Sequence, residues 1–99
     1  MHRRGLVRGL RARRALRAAR MLNEVVDTQL PLLAGLPESS RRRSANYLAE
    51  LVMLSQDYRH YANGWLDRRE LDLRCRAAMR RLDSHRQRHP SAAQYTELD

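Results

Sequence analysis

Eight arginines fall within the first 23 residues, Arg3, Arg4, Arg8, Arg11, Arg13, Arg14, Arg17 and Arg20, and the first acidic residue is Glu24. Guanidinium groups at this density suit charge-assisted, bidentate contacts to phosphate or carboxylate oxygens. The segment carries +8, whereas residues 24–99 hold twelve Arg against eleven Asp and Glu, a balance of +1. The basic character therefore belongs to an N-terminal arm and not to the whole chain. An isolated cationic arm points to a polyanion: DNA or RNA, an acidic protein, or an anionic membrane. On a helical projection the arginines spread around most of the circumference. A membrane-surface helix would segregate Leu from Arg, so nucleic acid or an acidic protein is the expected partner.

All twenty cationic residues are Arg, and the chain has no Lys, Ile or Phe. Those three residues share AT-rich codons, so their joint absence indicates a GC-rich genome, that of a bacterium or its phage. Nucleotide composition thus accounts for the choice of Arg over Lys. It does not account for the lack of acid over 23 residues.

Arg41, Arg42 and Arg43 form a second cluster at the start of a predicted helix. Cations there oppose the helix dipole, while three guanidiniums beside free N–H groups could cradle a phosphate. A third set, Arg74, Arg81, His85 and Arg88, recurs on one stripe of a later helix. Arg74 is expected to pair with Glu70, and such stripes are usually a solvated face.

Nothing in the chain assembles into a catalytic or metal-binding set. His85 and His89 are four apart but have no carboxylate or thiolate ligand beside them, and Pro90 interrupts the helix. The phosphate-loop, dinucleotide, zinc-protease and nucleophile-elbow motifs are absent. Cys75 is the lone cysteine and sits in an apolar seam, where a thiol is usually inert. No enzyme activity, metal or cofactor is expected. Tyr95-Thr96-Glu97-Leu98 fits a Y-x-x-L pattern that occurs often by chance.

Three helical stretches must position these groups. The first runs from about Arg8 to Gln29 and is rich in Ala, Leu, Arg and Met. Leu22, Val25, Val26 and Leu33 extend its apolar face, and Pro31 ends it. Residues 30–40, with two prolines and a glycine, form a connector whose leucines fold back onto the helices. The second helix covers about 40–62, capped by Ser39 or Ser40. Its Tyr47, Leu51, Leu54, Tyr58 and Tyr61 are spaced 4-3-4-3, a heptad seam, widened by Leu48, Val52 and Ala62. Asn63-Gly64 is the stop.

The third helix covers about 68–86, with Asp67 and Glu70 as a capping box. Leu71, Cys75, Ala78 and Leu82 form its seam, and Glu70 with Arg74 and Asp72 with Arg76 are i,i+4 pairs. A connection this short predicts an antiparallel hairpin. Trp65 is expected to plug one end of it or, if exposed, to anchor a protein partner. The tyrosines, Leu51, Leu54 and Trp65 make up the candidate packing or docking interface.

Residues 58–82, YRHYANGWLDRRELDLRCRAAMRRL, resemble the short helical-hairpin modules of the SHOCT type. There a helix ends at Gly, a Leu follows, and an acidic pair with Leu opens the next helix; Gly64, Leu66, Glu70 and Leu71 stand at those places, while Arg69 departs from the second acid. The resemblance implies an interaction or oligomerisation module and does not extend to the arm.

The expected fold class is all-α: a small helical hairpin or three-helix arrangement, with a basic arm (1–23), a helical domain (24–88) and a disordered polar tail (89–99). Long apolar seams on so small a core imply self-association, most simply a homodimer. The lone cysteine fits a reducing, cytoplasmic setting, and no apolar run reaches the length of a membrane span. An Arg-rich, acid-free N-terminus also resembles a mitochondrial presequence, although it lacks the usual Ser and Thr.

Overall fold

The computed structural model describes residues 2–88, with side chains from 9 to 86. It is all-α. Helix α1 spans His2–Gln29, a 3-10 helix spans Leu30–Gly35, α2 spans Glu38–Ala62 and α3 spans Arg68–Arg88. Among the described residues there is no strand, and no helix is long and apolar enough to cross a membrane. The tail at 89–99, including the Y-x-x-L sequence, lies outside the described residues.

The first helix continues unbroken through the expected arm boundary at 23/24. It is held there by a stripe of small residues: Ala15 and Ala19 are buried, Leu22 is half-buried and Val26 is buried. Their 4-3-4 spacing keeps one face toward α2. Val25, which the sequence places on the same face, is exposed. Alanine lets the two helices come close. The Ser55 hydroxyl of α2, itself 1% exposed, donates to the backbone carbonyl of Ala19 at 3.2 Å.

That contact fixes α1 and α2 as an antiparallel pair. The ion pairs Arg74 with Asp57 and Arg81 with Glu50, together with the Cys75–Tyr58 contact, fix α2 and α3 as another. Helix α2 is therefore central. No Cα of α1 comes within 8 Å of one in α3 among the described residues, which leaves a groove between them. At the opposite end Val26, Leu33, Leu48, Leu51 and Leu82 close a common core, with Leu22 and Tyr47 against it.

The helix ends explain the turns. Pro31 does end α1, by directing the chain into the 3-10 helix, where it occupies the first turn. Helix α2 then starts at Glu38 with Pro37 at the cap. Ser39 and Ser40 lie inside its first turn and do not cap it. Glu38 supplies the negative charge that the helix start favours.

At the other end of α2, Gly64 adopts φ 80°. Trp65 N–H donates to the His60 carbonyl (2.8 Å) and Gly64 N–H to that of Tyr61 (3.0 Å), a Schellman closure. Asn63 stays right-handed. The capping at Asp67 also forms: its carboxylate accepts from the Glu70 N–H at 2.8 Å.

Candidate nucleic-acid interface

Arg11, Arg13, Arg14, Arg17 and Arg20 are all exposed on α1, and none of them makes an ion pair among the described residues. Arg13, Arg17 and Arg20 repeat at 4-3 spacing opposite the buried Ala15–Ala19 stripe, so they form an outward row. Arg11 and Arg14 lie toward the groove between α1 and α3. The side chains of Arg3, Arg4 and Arg8 lie outside the described residues, although their backbone belongs to α1.

Four arginines of the other helices, Arg42, Arg68, Arg74 and Arg81, are used differently. Arg81 Nε meets Glu50 Oε2 at 2.8 Å, and Arg74 Nη1 meets Asp57 Oδ1 at 3.2 Å. Both tie α3 to α2. The expected pairing of Arg74 with Glu70 is thereby corrected: Arg74 flanks the apolar seam and reaches across to Asp57. Asp72 likewise pairs with Arg68 at 3.4 Å, not with Arg76. The stripe of Arg74 and Arg81 is thus a helix–helix clamp. His85 is half-buried, and the Arg88 side chain is outside the described residues.

Arg41, Arg42 and Arg43 lie at the far end of the molecule from the groove. The antiparallel register that sets Ser55 beside Ala19 brings Arg41 level with Leu33. Twenty residues separate that level from Arg13, roughly 30 Å at the helical rise. Arg42 is engaged with Glu38 at 3.5 Å, and Arg43 donates to the Ser40 hydroxyl at 3.4 Å. They do not merge with the α1 row into one patch.

The structure brings other arginines to α1. Arg68, at the start of α3, shares a groove of about 410 Å³ with Arg11 and Arg14. Tyr58, Tyr61, Leu71, Asp72 and Cys75 complete its walls. A hydrogen bond to Tyr61, and then the Asp72 carboxylate, raise the Arg68 guanidinium above its usual pKa. Arg69, Arg76 and Arg80 are exposed on the outer side of α3. None of these four is among the phosphate-contact candidates of the sequence, where Arg76 is expected to pair with Asp72. Arg69, Arg76 and Arg80 were accessible in principle, because they stand opposite the Leu71–Cys75–Ala78–Leu82 seam. The nearness of Arg68 to Arg11 has no local signal.

The candidate docking residues divide. Leu51 and Leu54 are buried under the chain's own helices, because the 4-3 seam is consumed in packing α2. Tyr47, Tyr58 and Tyr61 are half-buried. Trp65 does not plug the hairpin. It is 71% exposed, with its ring 5.2 Å from that of His60 (centroid to centroid). Leu66 is the buried residue of that turn. Among the described residues no group of His, Cys, Asp and Glu could hold a metal.

Tyr58 is the most perturbed group of the groove. Burial, reinforced by the neighbouring Cys75 thiol at 3.7 Å, pushes its hydroxyl up to about 12. The folded state therefore holds this proton more tightly than the unfolded chain, whose tyrosines titrate near 10. Stability from this group is complete below about pH 10 and is lost as pH rises toward 12. Tyrosinate absorbance of the folded protein should contain a late phase near pH 12. Loss of that phase on Tyr58→Phe would assign it, and its absence from the parent protein would contradict the burial.

No family model, curated protein or solved structure matches this chain.

Proposed function

We propose that this chain is a small non-enzymatic protein that grips the phosphate backbone of DNA or RNA through α1. The observation that carries this reading is the α1 row. Arg11, Arg13, Arg14, Arg17 and Arg20 are exposed and make no ion pair among the described residues, on a helix whose first acidic residue is Glu24. Helices α2 and α3 instead interleave their arginines with carboxylates, four of which are paired to Arg42, Arg68, Arg74 and Arg81. A folded chain that leaves five guanidiniums unmatched over about 14 Å of helix concentrates positive potential where a polyanion can use it. With such contacts, binding is low in sequence specificity and falls steeply with salt, because each neutralised phosphate releases counterions. Arg41, Arg42 and Arg43 would assist only a ligand long enough to reach the far end.

Fluorescence anisotropy with labelled duplex DNA and RNA across a salt series tests this. Five phosphate contacts predict a slope of log K against log salt near −4 or steeper. A flat profile, or no binding at low salt, would remove the proposal.

A second reading, a helical adaptor that docks an acidic protein or a second copy of itself, is favoured by Trp65. A tryptophan this exposed suits a docking anchor. Its ring rests beside that of His60 on the last turn of α2. Sedimentation of the purified chain would reveal a homodimer. Loss of that dimer on Trp65→Ala would place the contact.

A further inference from the structure

The groove between α1 and α3 has a composition that the outer arginine row lacks. Arg11 and Arg14 stand on one wall and Arg68 on the other, while Tyr58 and Tyr61 of α2 lie between them. Three cations face one carboxylate, Asp72, which is already paired with Arg68. The two tyrosines are half-buried and both line the groove. The walls stand apart because the α1 and α3 backbones do not approach each other. At about 410 Å³ the space is of the size that small-molecule sites occupy.

We infer that this groove receives one unstacked nucleotide of a single-stranded nucleic acid. Its phosphate would rest on Arg11, Arg14 and Arg68, and its base against Tyr58 and Tyr61. The inference rests on the phosphate-binding reading of α1 and narrows its ligand. A duplex offers its backbone to the outer row but keeps its bases stacked inside, so it cannot fill a recess whose floor is aromatic. A single strand supplies both groups at once, and stacking on a tyrosine tolerates any base.

The test compares two labelled 12-nucleotide strands of equal charge, one carrying all its bases and one abasic throughout, on the full chain at one salt concentration. The base-bearing strand should bind about 5- to 150-fold more tightly, the range of one base–aromatic stack. Tyr61→Leu should lower that ratio, and Trp65→Leu should leave it intact. Equal affinity of the two strands for the unmodified protein would overturn the inference without needing any variant. So would a ratio that Tyr61→Leu leaves unchanged. Salt-sensitive binding of the abasic strand would meanwhile show that the α1 grip holds even where the groove reading fails; absence of all binding would end both.

Discussion

Replacing Leu54 by Ala should lower the stability of this protein by about 2–5 kcal/mol, the range for truncating a buried leucine. Leu54 is 3% exposed, in the central helix. Eleven apolar residues are buried among those described, and three of them are alanines. A core of eight larger side chains has little reserve, because small domains bury a small share of their surface. At about 4–8 °C per kcal/mol for a chain of this size, the melting midpoint should fall by at least about 8 °C. Circular dichroism at the helical band reads this directly. Val52→Ala is the matched comparison, since Val52 sits on the exposed side of the same helix; its effect should stay within about 0.5 kcal/mol. Equal, small losses for both would mean that α2 does not occupy the centre of the core.

The triple replacement Arg13→Gln, Arg17→Gln and Arg20→Gln should have the largest effect on binding. Each lost phosphate contact flattens the salt slope by about 0.9 for duplex DNA, so three should flatten it by about 2.7. Near 0.1 M salt that corresponds to a roughly 100- to 1,000-fold weaker complex. Glutamine keeps the helix propensity and the exposed position, so the melting midpoint should hardly move. Arg81→Gln provides the opposite pattern. It removes the 2.8 Å contact to Glu50 and should reduce stability by up to about 1 kcal/mol, while the salt slope stays as it was. If the triple variant binds as the parent does, the outward row is a solvated face and the phosphates are held elsewhere. Deleting the arm would not separate these cases. Ala15 and Ala19 would go with it, and they are the residues that seat α1 on α2.

The fold class, the helical hairpin and its two seams were legible in the sequence because they depend on local periodicity. Leu51, Leu54, Leu71, Ala78 and Leu82 recur at helical spacing, and all five are buried. Gly64 and Asp67 act at the ends where their backbone and side-chain chemistry places them. The role of the arm was not legible. Its buried stripe consists of alanines, which add little to an apolar pattern, so the arginines between them masked a packing face. Ion-pair choice was also hidden. Glu70 and Asp57 both lie within reach of Arg74 in principle, and only the α2–α3 register decides for Asp57.

The sequence by itself determined where the positive charge lies along the chain, because charge is a sum over residues and needs no fold. It determined the helices as well, since their signals fall within four residues of one another. The tertiary structure alone decided which arginines face outward, which are spent in clamping α3 to α2, and which meet across a groove. Arg11, Arg14 and Arg68 come together because two antiparallel packings return the start of α3 to the side of α1. That return depends on contacts between residues dozens of positions apart, and no local pattern encodes them.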